Sequence, residues 1–333
     1  MTRATRIDVA FLVVAVALSA SVLPYRVVAC FPEPPGGNDT SPRALAAGVG
    51  TTPYQYRVLV PWLVRGAVAA GLLPSDADIP AFVALEGLAL VALACAFRQY
   101  LSLFIDDRLV TSVAALSAYA VLPFNDLRGP FLPYDTPSIV FFATGLVLIR
   151  RQSWRWFFPL FTLATLNRET SIFLTAAFAV ALYDEYRPSR LALLGGAQIA
   201  IWIAIKAALW QIYRQNPSVG ASGLYFFQLK VNLATILSRP IASLIVLSTW
   251  GGLWLTALIW HARISDRFLR RTLWVVPMFM AGMFVVGFVV EMRVYGEMLP
   301  IVLAAFWVGL LSLVSQALRE GHLSRAAGRN GTA

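Results

Sequence analysis

A small set of residues is placed where this chain could do chemistry: the carboxylates Glu33, Asp39 and Asp135, and the group Tyr56, Arg57, Arg168, Glu169, Glu291, Arg293 and Tyr295. A carboxylate in reach of a hydroxyl can take its proton as a general base. Arginine presents a rigid fork of donors that matches phosphate and carboxylate oxygens. Together they suit activation of a hydroxyl beside a leaving group that gains negative charge. The residues fall in four strings, each inside or at the end of an apolar stretch: 54–57 (Tyr-Gln-Tyr-Arg) with Glu33 and Asp39 before it, 134–137 (Tyr-Asp-Thr-Pro), 167–170 (Asn-Arg-Glu-Thr), and 291–297 (Glu-Met-Arg-Val-Tyr-Gly-Glu).

Each string also has a purely structural explanation. Glu33 and its neighbours fit a solvated loop with interfacial tyrosines. Asp135 directly precedes an apolar run, where its carboxylate would cap the free amides of a first helical turn. Arg168 and Glu169 could pair internally, but adjacent residues on a helix point about 100° apart, and an ion at mid-bilayer costs about 2.5–3.5 kcal/mol. Arg293 and Glu297 have the four-residue spacing of a helical salt bridge, which leaves Glu291 over. Lys206, within a long apolar run, reads as a side chain that snorkels outward along its own stem.

The elements that must position these residues are membrane helices. The chain is 59% hydrophobic and 13% charged, with a mean hydropathy of +0.70, too apolar to cover a water-soluble surface. A span needs roughly 20 apolar residues. That criterion picks out 8–29, 80–97, 109–125, 136–149, 191–213, 240–261, 273–291 and 299–318. The apolar stretch 156–183 is interrupted by Asn167-Arg168-Glu169 and flanked by arginines at both ends, so it reads as a short helical hairpin with 167–170 at its tip. The expectation is an all-α polytopic membrane protein with about eight full helices plus that hairpin, about ten spans in all. It forms a single domain over 1–333, with an outer loop at 30–79 carrying interfacial helices.

A formal charge of +10 raises the question of nucleic acid, but the bases lie between apolar runs rather than along one stripe, which excludes that partner class. Distributed so, they read as topology signals: the positive-inside bias puts both termini in the cytoplasm of a bacterial cytoplasmic (inner) membrane. Arg3 and Arg6 ahead of the first apolar run imitate a signal sequence, yet seven further apolar segments follow and the reading is an uncleaved helix. Cys30 and Cys95 fall on opposite sides of a span, and His261 and His322 lie apart, so neither a disulfide nor a Cys/His metal site is expected.

Arg57, Arg168 and Arg293 lie against the positive-inside bias, toward the outer side or within the membrane. They suit a ligand with an anionic head and an apolar tail. In architecture and in its short motifs (Tyr-Asp-Thr-Pro, Asn-Arg-Glu-Thr, and Glu-x-Arg-x-Tyr-x-Glu-x-x-Pro at 291–300), the chain resembles the GT-C class of integral-membrane glycosyltransferases. The resemblance implies an inverting transfer from a polyprenyl-phosphate sugar to a lipid, glycan or protein acceptor on the extracytoplasmic side. It also implies an acidic residue of the first outer loop as base, the location of Asp39 or Glu33, with Asp135 as competitor. The partners implied are membrane lipid and the lipid-linked donor, with a divalent cation as an optional helper and no protein-bound metal site. The chain departs from the class in lacking two adjacent acidic residues in that loop; its adjacent pair, Asp106-Asp107, falls on the cytoplasmic side.

Two other classes fit the same charges. Arg168, Glu169, Lys206 and Glu86 could line the path of a transporter or flippase of an anionic or lipid-linked substrate. The fold could also serve a non-catalytic role in the cell envelope.

Overall fold

A computed structural model describes residues 2–30, 40–74, 78–126, 132–218 and 227–330. Glu33 and Asp39 lie outside the described residues. Within them the chain is helical throughout: α1 (Arg3–Cys30), α2 (Pro42–Ala47), α3 (Leu59–Ala69), α4 (Asp78–Leu101), α5 (Arg108–Asp126), α6 (Asp135–Arg150), α7 (Trp154–Asn167), α8 (Ile172–Leu182), α9 (Pro188–Tyr213), α10 (Leu229–Ser238), α11 (Pro240–Leu247), α12 (Leu253–Ile259), α13 (Arg267–Thr272), α14 (Val275–Val286) and α15 (Leu299–Asn330). Short 3-10 turns at Tyr54–Tyr56, Glu169–Ser171 and Met292–Met298 carry or directly flank most of the candidate site residues.

The expected ten spans are not found. Among the described residues, five segments are long and apolar enough to cross a membrane: Arg3–Arg26, Ile79–Leu101, Pro188–Tyr213, Arg267–Val286 and Met292–Glu320. A sixth is added if α10 and α11, bent by 107°, count as one. The difference has three physical sources. The runs at 109–125 and 136–149 do form α5 and α6, but the apolar part of α5, Arg108–Phe124, ranks among the shorter apolar helices and α6 has only 16 residues. The run at 156–183 is divided between two short helices. The run at 240–261, read as one helix, is broken at Thr249–Gly252, where Trp250, Gly251 and Gly252 all take left-handed backbone conformations (φ 52°, 65° and 75°). Glycine adopts that region freely; tryptophan does so only under constraint, here with its side chain wholly buried.

The hairpin expected at 156–183 is present. Trp154 Nε1 donates to the Tyr186 hydroxyl at 3.0 Å, that hydroxyl donates to Gln152 at 2.7 Å, and the Trp154 ring meets Phe178 edge-on. The base of α7 and the end of α8 are thus clasped together, leaving 167–170 at the far end. The segment 40–74 carries two short helices, α2 and α3. Ser41 caps α2 by accepting from the Ala44 amide, and Gly48 ends it in a left-handed conformation (φ 80°).

α4 packs against α1, α5 and α6, while α15 packs against α4, α5, α6, α12 and α13. One end of this bundle collects exposed or half-buried ion pairs: Asp8 with Arg98 and Arg108, Asp266 with Arg150, and Asp184 with Arg267 and Arg271. At the opposite end the hairpin tip meets the start of α6, the loop before α3 and the turn before α15. The chain is a membrane-embedded helical protein with its polar centre at that second end.

Candidate functional site

The hairpin tip sets the geometry. α7 ends at Asn167, and Arg168 is extended (φ −160°, ψ 142°), so it and Glu169 point to opposite sides of the chain. Asn167, fully buried, donates to the Tyr134 carbonyl at 2.9 Å and to Ser138 Oγ at 2.8 Å. Those bonds tie the tip to the first turn of α6, where Asp135 sits. The loop before α3 is fixed to the same tip, because the Val58 amide donates to the Leu166 carbonyl at 2.9 Å. It is also fixed to the end of α9, through Thr52 on the Pro217 carbonyl and Asn216 on the Gly48 and Gly50 carbonyls.

On one side of the tip, Arg168 reaches Asp135 at 3.3 Å and Glu297 at 3.1 Å, and Thr170 Oγ1 donates to the same Glu297. Asp135 is a bridge: its other oxygen is 3.5 Å from Arg293, whose second nitrogen donates to Glu291 at 2.9 Å. On the other side, Glu169 accepts two hydrogen bonds from Arg57, at 2.6 and 3.2 Å. Arg57 also donates to the Tyr134 hydroxyl at 2.7 Å and lies over the Tyr134 and Tyr54 rings. Burial pushes the Tyr134 phenol up from its ordinary value against the pull of Arg57 and Arg293, so it meets Arg57 as a neutral hydroxyl. Lys206 lies 3.8 Å from Glu169, and Trp202 one turn earlier donates to the Glu169 carbonyl at 2.8 Å.

Arg57, Arg168 and Arg293 therefore meet around one tip in two ion clusters, Arg57 with Glu169 and Lys206 on one side and Arg168 and Arg293 with Asp135, Glu291 and Glu297 on the other. Two of the sequence candidates stand apart. Tyr56 turns away to pack with Val58, Leu209 and Tyr213, and Tyr295 packs edge-on against Trp250 with its hydroxyl on the Val289 carbonyl. Two pairings also differ from expectation. Arg293 does not bind Glu297, because 292–298 is a 3-10 helix, with three residues per turn, and a four-residue spacing no longer shares a face. Glu291 takes that place instead. Lys206 does not snorkel; its ammonium is buried beside Glu169.

Residues that the sequence reading left out of the site are Tyr134, Tyr54, Thr170 and Glu297, all of them inside the four strings. A further buried pair, Arg26–Glu86 at 2.7 Å, joins through Thr136, which donates to Glu86 at 2.7 Å. Thr136 is the neighbour of Asp135, so α1 and α4 also hold the start of α6.

Two chambers open on the network. The larger, about 240 Å³, is walled by Arg57, Arg168, Glu169 and Thr170 on one side and by Ile172, Phe173, Trp202, Met283 and Val286 on the other. The smaller, about 110 Å³, is lined by Tyr54, Gln228, Glu291 and Arg293 among others. Arg57, Val286, Gly287 and Val294 border both. Asn232, fully buried, fixes this shared rim by donating to the Phe284 and Gly287 carbonyls and accepting from the Val289 amide.

Chemically, this is a polar floor of ordered arginines under an apolar wall, able to hold the anionic part of an amphiphile. Among the described residues, no group of three or more His, Cys, Asp or Glu side chains is placed to hold a metal ion. No protein-family model matches the chain, and no curated protein or solved structure is detectably similar to it.

Proposed function

We propose that the chain is a membrane glycosyltransferase of the GT-C type, moving a sugar from a polyprenyl-phosphate donor to a lipid, glycan or protein acceptor. In this reading it works at the extracytoplasmic face of a bacterial cytoplasmic membrane, with both termini in the cytoplasm. The observation that supports it is the meeting of Arg57, Arg168 and Arg293, from three distant parts of the chain, with Arg57 and Arg168 lining the apolar-walled chamber and Arg293 the smaller one beside it.

The acceptor hydroxyl oxygen would attack the anomeric carbon while its proton passes to a carboxylate. The bond from the anomeric carbon to the lipid phosphate breaks and its electron pair stays on the phosphate oxygen. Arg57, which borders both chambers, and Arg293 are placed to stabilise that developing charge. Asp135 has both oxygens held by arginines and serves to position them. The base role falls to Glu33 or Asp39.

Membranes containing Arg293→Ala are expected to lose incorporation of labelled sugar from a polyprenyl-phosphate donor, with protein abundance near wild type and partial recovery in Arg293→Lys. Undiminished incorporation in the alanine variant would remove Arg293 from the site. One observation favours transport as the second reading: the 107° break between α10 and α11 resembles the discontinuous helices of transporters. Donor-independent counterflow of a lipid-linked sugar across proteoliposomes would select it.

A further inference from the structure

Summed over its two ion clusters, the hairpin tip is balanced. Among the described residues, Arg57, Arg168, Lys206 and Arg293 face Asp135, Glu169, Glu291 and Glu297. An anionic head group entering alone would leave an uncompensated negative charge in a buried site, where such a charge is most costly. One carboxylate must therefore give way.

Asp135 and Glu297 are 9% and 2% exposed and are locked between partners, whereas Glu169 and Glu291 are 25% and 29% exposed and line the chambers. Glu291 takes a single hydrogen bond from Arg293. Glu169 fills the fork of Arg57, using the pair of N–H groups that a phosphate would use. Beside it, the Lys206 ammonium is buried and makes no hydrogen bond of its own. Withdrawal of Glu169 frees the fork and the ammonium together, next to the chamber with the apolar wall.

We propose that Glu169 is an internal placeholder for a singly charged lipid phosphodiester, which displaces its carboxylate from Arg57 one negative charge for one. The apolar chain then lies against Phe173, Trp202, Met283 and Val286, and a hydroxylated head reaches the chamber of Tyr54, Gln228, Glu291 and Arg293. This rests on the transferase reading and sharpens it. A sugar joined through one phosphate matches the charge Glu169 gives up, and a diphosphate exceeds it.

The test uses the full chain in lipid nanodiscs, with farnesyl methyl phosphate and farnesyl diphosphate as probes. Wild type is expected to prefer the diester. Glu169→Gln is expected to bind the diester about tenfold more tightly and to gain still more for the diphosphate, so that the preference narrows. Unchanged or weaker diester binding in a folded Glu169→Gln overturns the exchange. Infrared difference spectra of wild type, which need no variant, are expected to show a perturbed carboxylate stretch when the diester is added; a flat carboxylate region overturns it equally. Binding that needs Arg57 but is not tightened by Glu169→Gln would sink the exchange alone, whereas binding indifferent to Arg57→Gln would sink the transferase reading as well. Displacement of the farnesyl diester by equimolar phosphatidylglycerol would keep the exchange but overturn a polyprenyl ligand in favour of a glycerophospholipid.

Discussion

The two ends of the bundle use the same residue types to different effect. At one end Asp184 holds Arg267 and Arg271, and Asp8 holds Arg98 and Arg108, with the Arg267 and Arg108 side chains 59% and 60% exposed. At the other, Arg57, Arg168 and Arg293 are at most 9% exposed, and each carboxylate partner serves more than one donor or sits on a chamber wall. Water and salt screen Arg108 and Arg267, so their pairs add little. In the second set the partners hold each other in place, because a buried charge without its counterion is strongly unfavourable. An ion pair constrains the architecture only where solvent cannot replace either member.

The contrast can be broken by substitution, beginning where the effect should be largest. Arg168→Ala strips the shared cation from Asp135 and Glu297 and is expected to cost about 3–5 kcal/mol, read as unfolding in detergent or by steric trapping in bicelles. Asp135→Asn keeps the shape but removes the charge bridging Arg168 and Arg293; a loss of about 2–3 kcal/mol is expected, together with failure of sugar transfer. Asn167→Ala leaves the Tyr134 carbonyl and Ser138 without their donor, for about 1–3 kcal/mol by the same unfolding assay. Asp8→Asn, despite losing contacts to two arginines, is expected to cost the least in that assay, and less still in high salt. If Asp8→Asn proved as damaging as Arg168→Ala, the distinction between the two ends would not hold.

Much of the helical framework was legible because an uninterrupted apolar run of roughly 20 residues has few solutions: α1, α4, α9 and α15 all lie where hydropathy puts them. The hairpin tip was legible too, since Asn167-Arg168-Glu169 within an apolar run demands buried partners. What could not be read was local winding and the identity of those partners. Arg293 and Glu297 look paired only if α-helical spacing is assumed, and the 3-10 turn removes that assumption. Lys206 looks like a snorkelling side chain until Glu169 of the hairpin tip, distant in sequence, is brought beside it. The break at Trp250-Gly251-Gly252 had a Gly-Gly signal, but hydropathy runs across it without interruption.

The single extended residue at the hairpin tip also limits what lengths of chain this turn can accept. Turns at the ends of helical hairpins are ordinarily the places where insertions and deletions accumulate. Here Arg168 and Glu169 serve opposite sides because one extended residue, Arg168, separates the end of α7 from the 3-10 turn that opens at Glu169. One residue added between them would turn Glu169 away from Arg57 while Arg168 stayed with Asp135. Evolution or engineering can therefore exchange residues in this turn more readily than it can change its length.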